Sequence, residues 1–256
     1  NTAIGTRAAE TNTTGTENVA IGGLALRYNT TASNNTAVGY SALTANTTGA
    51  QNTAVGQEAL VSNTTGYSLS AVGRQALEAN TTGYNNTGLG ERTLFANTTG
   101  ANNTAVGAFA LDAQTTSNGN TAVGYQAATA FTSSGLTAVG YQSAYSMTTG
   151  YDSVALGSFA LYTNTTGHSA TAIGYRALDA NTTGSNNTGV GNNALSGNTT
   201  GAGNTALGTN AGDALTTGSN NILIGYQSEV SLVGALNQIV IGIDHNAVGG
   251  NNSFNF

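Results

Sequence analysis

Aliphatic residues return along this chain at a fixed distance. Counting each recurring glycine as position zero, position −1 holds Ile4, Ile21, Val38, Val55, Val72, Leu89, Val106, Val123, Val139, Leu156, Ile173, Val190, Leu207, Ile224 and Ile241. The fifteen anchors run from Gly5 to Gly242, each 17 residues after the last except Gly124 to Gly140, which is 16. A fixed period of this size that fills the chain predicts a solenoid, whose repeats bury their apolar faces only by stacking on neighbours. Position −3 is mostly Thr, replaced by Val19, Val154, Ile222 and Ile239. Because side chains alternate along a strand, −3 and −1 share one face, and the aliphatic content predicts that this face is the core.

A second apolar column falls at +4, with Leu26, Leu43, Leu60, Leu77, Leu94, Leu111, Leu161, Leu178 and Leu195. The anchor glycine between the two columns supplies a tight turn, and the glycine of N-T-T-G (Gly49, Gly66, Gly83, Gly100) is expected to be left-handed in a second. One repeat then reads as two strands and two turns. Helices are opposed by two Gly per repeat and by the many β-branched residues. The small columns at −2 and +3 (Ala37 and Ala42, Ala54 and Ala59, Ala71 and Ala76) predict close packing against another coil or chain. Position +7 holds Asn46, Asn63, Asn80 and Asn97, but also Phe131, Met147, Leu215 and Leu232. A column that accepts either type is expected to be a buried turn carrying an Asn ladder. The shorter step falls between Ser134 and Thr137, inside a turn, and should leave the core columns in phase. Residues 1–220 are regular repeats. Residues 221–256 are more apolar, and there the +4 leucine is lost to Glu229 and Asn246, after Gly212 in the preceding repeat, as in a cap or a junction to a following domain.

Composition narrows function more than fold. Charged residues make up 6% of the chain, with five Arg, eleven acids and a net charge of −6, so no basic patch is available for nucleic acid. Without Cys there is neither a disulfide nor a thiolate metal site. No apolar run is long enough to cross a membrane, and the start lacks the pattern of a signal peptide. His168 and His245 stand alone, which leaves a metal site or a nucleophile triad nothing to build on, and no phosphate-binding glycine loop occurs. No cofactor, metal or catalytic residue is expected, and the chain reads as a non-enzyme.

The strings N-T-A-V-G, N-T-A-I-G and N-N-I-L-I-G in a regular Gly and Ala frame resemble the head repeats of YadA-like trimeric autotransporter adhesins and the related repeats of phage and bacterial tail fibres. That resemblance covers nearly the whole chain. It implies a left-handed parallel β-roll, three chains about one axis, and an extracellular, cell-surface or virion fibre whose partners are its own copies and a host surface, glycan or extracellular matrix. The 17-residue coil departs from the adhesin pattern, being longer than the adhesin repeat by the N-T-T-G turn, and neither a stalk heptad nor a membrane anchor is present.

Surface contact is best sought among the tyrosines of the variable columns: Tyr40, Tyr125, Tyr141, Tyr175 and Tyr226 at +1, and Tyr67, Tyr84 and Tyr151 at +11, with Tyr145 and Tyr162 at +5. A Tyr on a rigid platform offers apolar area with one polar tip, which suits glycan or protein contact. Scattered surface aromatics are the plainer reading. Glu78, Asp112, Asp179 and Asp213 share column +5, where acids two coils apart would stand roughly 9.5 Å from each other, near the spacing of an inverting glycosidase pair. Solvated surface acids are again the plainer account. The repeated N-T-T strings are incidental glycosylation sequons. The rival to a fibre is an ice-binding β-solenoid, but Thr47-Thr48 and its equivalents are adjacent residues at a turn, whereas an ice plane needs alternate residues on one flat side.

Overall fold

The computed structural model describes residues 1–244 and the short strand Phe254–Asn255. His245 and Asn246 lie outside the described residues. The chain is an all-β parallel solenoid of about fourteen turns, divided into two compact units, Asn1–Gln126 and Ala127–Phe256. In the first unit, strands from Thr2–Ile4 to Thr121–Val123 each pair in parallel with the next. In the second, the same holds from Leu136–Val139 to Ile239–Ile241, and Phe254–Asn255 follows. Like columns lie side by side, Ala37 against Ala54 and Val38 against Val55. Within the second unit the Ala128 N–H at +4 donates to the Ser143 carbonyl at +3 of the next coil, 2.9 Å away, as Leu43 does to Ala59, so the 16-residue step leaves the columns in phase.

Only one strand forms per coil, where two were expected. The segment after the anchor alternates the sign of φ, with Ser41 at 57° and Leu43 at 52°, and the same pair recurs as Glu58 and Leu60. Such a segment cannot be pleated, yet it still bonds to its neighbours: the Leu43 N–H donates to the Ala59 carbonyl at 2.9 Å and the Ser41 N–H to the Gly23 carbonyl at 2.9 Å. Its consequence is that adjacent residues Ala42 and Leu43 both point inward and are fully buried, which alternation along a strand would forbid. The anchors behave as expected. Gly39 has φ of 135°, and a Cβ there would meet the Gly56 carbonyl oxygen at 2.5 Å. The N-T-T-G glycines do not: Gly49, Gly66, Gly83 and Gly100 avoid positive φ. Close approach explains them, since a Cβ on Gly49 would stand 2.2 Å from the Gly66 carbonyl oxygen.

The strand face is the reverse of the expectation. Position −2 points inward, with Ala37, Ala54, Ala71, Ala105 and Ala122 fully buried, while −1 points outward. Val38 and Val55 are half-buried, Val72, Leu89 and Ile173 exposed, and Leu207 is 48% exposed. The expectation that the Ala columns meet another chain is therefore overturned as well, because both are sealed inside their own coil. Lack of room decides the matter. A Cβ added at Gly88, a −2 position, would lie 3.4 Å from Cδ1 of Leu77 and 2.7 Å from Oγ1 of Thr93. With leucine filling the coil from +4, the opposite strand has space for Ala or Gly and sends its branched neighbour outward.

Two polar ladders complete the interior. At +7 the expected one is present: the side-chain amide of Asn46 donates to Oδ1 of Asn29, that of Asn63 to Asn46 and that of Asn80 to Asn63, each at 2.9 Å. The same amides also bond the carbonyls of Gly49, Gly66 and Gly83. Phe131, Met147 and Leu215 take this place fully buried, but Leu232 is 66% exposed, contrary to the expectation for that column. A second ladder stands at −4. There Oδ1 of Asn18 accepts from the Asn35 N–H at 3.0 Å, and the Asn35 side chain donates to the Gly49 carbonyl at 3.0 Å.

Candidate functional site

The surface segment following each anchor brings aromatic and charged side chains of successive coils together at +1, +2 and +5. Tyr40, Tyr67, Tyr84, Tyr125, Tyr141, Tyr151, Tyr175 and Tyr226 are all exposed, from 38% for Tyr84 to 56% for Tyr40. They do not form one row. Tyr67 and Tyr84 stack on each other at 5.1 Å, and Tyr151 stacks on His168 at 4.6 Å, both within column +11. His168 thus has an aromatic neighbour, though no metal-binding company. Among the described residues, no three His, Cys, Asp or Glu gather as metal ligands would, and no helix is long and apolar enough to cross a membrane.

The richest cluster belongs to the second unit. Phe159 at +2 meets Tyr141 at 5.4 Å, Tyr162 at 5.5 Å and Tyr175 at 6.0 Å, all edge to face. Tyr162 stacks in turn on Tyr145 at 5.3 Å. Beside these rings Arg176 donates from Nε to Oδ2 of Asp179 at 2.6 Å. Phe159, Tyr162, Tyr175, Arg176 and Asp179 line a cleft of about 290 Å³. Asp179 is only 8% exposed, and its hydrogen bond and charge raise the pKa of Arg176 further above the ordinary guanidinium range.

The first unit holds a counterpart with a different internal arrangement. Arg92 pairs with Asp112 at 3.3 Å, and its guanidinium carbon lies 4.1 Å from the centre of the Phe95 ring and 5.7 Å from that of Phe109. The rings here are covered by the cation. Phe109 also meets Tyr125 edge to face at 6.1 Å. Column +5 tyrosines were recognisable from sequence, but Phe159, Arg176 and their union with Asp179 were not. Their signal was the juxtaposition of columns +1, +2 and +5 in neighbouring repeats.

The column +5 acids go to separate partners. Asp179 and Asp112 sit in the ion pairs just described, with burial pushing the Asp112 carboxyl up against the pull of Arg92. Burial, and then the nearby Glu58, raise the pKa of Glu78, whose Oε2 has no hydrogen bond. Asp213 shares a second cleft with Gln227, Glu229 and Asp244. Glu229 takes the place of the +4 leucine, and its Oε1 accepts from the Asp213 N–H at 2.8 Å. Burial first, then the contact with Asp213, raise its pKa to about 8.

Opposite in character is the outward strand face. Along it, half-buried Thr36, Thr53, Thr87 and Thr104 at −3 alternate with the aliphatic residues at −1. In each unit this gives a parallel-sheet surface whose protruding groups are methyls, methylenes and hydroxyls, with no formal charge in either column. Neither a protein-family model nor a curated protein matches the chain.

Proposed function

We propose that this chain is a non-enzymatic segment of an extracellular or virion fibre, assembled from three copies through the outward strand face and able to attach to surfaces through its aromatic columns. The observation that carries this reading is the uncharged aliphatic row at −1, exposed at Ile21, Val72, Leu89, Val139, Ile173 and Leu207. A row of branched side chains left open to water on successive coils is the kind of contiguous apolar surface that marks a protein contact. The number three, the left-handed roll and the location come from the resemblance to adhesin heads and tail fibres. Light scattering should give three times the 25.4 kDa chain mass. Leu89→Lys combined with Ile173→Lys should dissociate the assembly while leaving each coil folded, because neither side chain belongs to the interior. A folded, stable monomer of the unmodified chain would overturn the assembly.

One observation also favours the rival, an ice-binding solenoid. Thr36 and Val38 project from the same side of the sheet, and a Thr paired in this way with an aliphatic residue recurs in most coils, so alternate residues do share one side, although at the strand and not at the Thr47-Thr48 turn. An ice plane must be free. Thermal hysteresis from a monomer would select this rival, and a trimer with the face covered would exclude it.

A further inference from the structure

The cleft between Phe159, Tyr162, Tyr175, Arg176 and Asp179 has the makings of a ligand site that neither the fibre shaft nor the strand face requires. We infer that it binds one or two rings of a neutral saccharide, an inference that rests on the aromatic columns being an attachment surface. Three features select this ligand. Its volume of about 290 Å³ lies just below the roughly 300–1,000 Å³ of drug-sized ligand sites, enough for a sugar ring or two. The wall is aromatic, and Tyr175 is nearly half open to solvent, so that the C–H face of a pyranose can lie against a ring while hydroxyls reach its edge. At the rim, Arg176 spends only Nε on Oδ2 of Asp179, which leaves both Nη groups as donors and Oδ1 as an acceptor for paired hydroxyls.

Charge decides between sugars. Arg176 is neutralised by a carboxylate in direct contact and the whole chain carries −6, so the cleft offers no net attraction to a sialylated, sulfated or phosphorylated glycan. The Arg92 cluster serves as an internal control, because its guanidinium lies over Phe95 and occupies the ring surface that a sugar would need.

The test is a glycan array and calorimetry on the assembled protein, with neutral hexose and N-acetylhexosamine oligosaccharides as probes and sialylated glycans alongside. Neutral glycans are expected to bind. Tyr175→Ala and Asp179→Asn should each weaken binding tenfold or more, while Phe95→Ala leaves it unchanged. Circular dichroism and assembly mass establish that each variant is folded, and Tyr175→Phe should retain most of the stacking. The inference is overturned if no neutral glycan binds at millimolar concentration, if only acidic glycans bind, or if Tyr175→Ala and Asp179→Asn leave the affinity intact. Attachment to cells that persists without any sugar dependence would overturn the saccharide while sparing the fibre reading. Loss of trimeric assembly in the unmodified chain would instead strike the fibre reading and leave sugar binding to be judged by the array.

Discussion

Asn63 and Phe131 occupy the same place in their coils, both fully buried, yet one is an amide and the other an aromatic ring. What separates them is the neighbouring coil. Asn63 donates to Asn46 and accepts from Asn80, so the desolvation of each amide is offset by a like group in the next turn. Phe131 is followed in its column by Met147, and buried Leu136 lies close by in sequence, at the −4 position that carries Asn in most repeats. An amide placed there would find a thioether where its ladder partner should be. The interior of this solenoid is thus specified by columns, and a polar residue is admissible wherever the column repeats it.

That difference can be broken from both sides. Phe131→Asn should be the most damaging change, costing about 3–5 kcal/mol as an aromatic buried group is lost, with an amide added whose next-coil neighbour in the column is Met147. Chemical denaturation of the second unit would register it as a lower midpoint, and a shift no larger than that of Phe131→Leu would refute the column rule. Next comes Asn63→Ala, which removes the donor to Asn46 Oδ1 and the ladder acceptor of the Asn80 amide, while the Gly66 carbonyl keeps Asn52 and the Asn80 amide keeps the Gly83 carbonyl. Orphaned buried groups cost roughly 1–3 kcal/mol each before water or relaxation relieves them, so a loss of about 2–3 kcal/mol is expected. Asn63→Leu should cost less than Asn63→Ala, because the leucine fills the space and imitates the second unit's own solution at Leu215. An equal or larger loss for leucine would mean that the ladder bonds outweigh packing.

Much of this architecture is legible in the amino-acid sequence. The period, the parallel register, the +4 leucines and the +7 ladder follow from identity within columns, because a solenoid repeats each environment at a fixed interval. The −1 and −2 assignment was lost for a physical reason. Hydrophobicity favours putting Val38 inside and Ala37 out, but volume requires the reverse once Leu43 fills the coil. Gly88 and Thr93 carried the clue: in that repeat the +3 residue grows to Thr and the −2 residue shrinks to Gly, which two residues sharing one small space would do. The left-handed residues were also hidden, since Leu43 and Leu60 adopt a conformation that their side chains disfavour and that only the stacked coil imposes. For the aromatic cleft, the individual tyrosines were legible, whereas the meeting of Phe159, Tyr175 and Arg176 needed the coil geometry. Single columns do not reveal what adjacent columns build.

A smaller effect is expected where the ladder reaches the surface. Thr64 donates from Oγ1 to the Thr81 carbonyl at 3.1 Å and accepts, at its own carbonyl, from Thr47 at 3.0 Å. Thr64→Val keeps the shape and loses one hydrogen bond in a half-exposed position, which should cost about 0.5–1.5 kcal/mol. A change above that range would show this row to be more tightly coupled along the coil than its exposure suggests.

Glu229 supplies the most local test, because it is a polar residue in a core column that its neighbour does not repeat. Gly212 precedes it at +4, and the carboxylate reaches the N–H groups of Asp213 and Ala214 with Oε1 while Oε2 finds no partner. The groups sharing its cleft are Asp213, Gln227 and Asp244, two of them acids, and no basic residue lines that cleft. Burial and Asp213 hold the folded pKa at about 8 against an ordinary 4.5, so between these values the folded coil keeps a proton that the unfolded chain has released. Linkage then requires stability to fall as pH rises through that window and to level off above about 8, the reverse of the usual carboxylate behaviour. Hydrogen exchange at the amides of Ile222–Ile224 and Ile239–Ile241, corrected for intrinsic rates, should show protection lost from pH 5 to pH 9. In Glu229→Gln the loss should vanish. A Gln variant that declines as steeply as the unmodified chain would place the sensitivity elsewhere. If the first unit lost protection over the same range, the effect would not belong to the broken column at all.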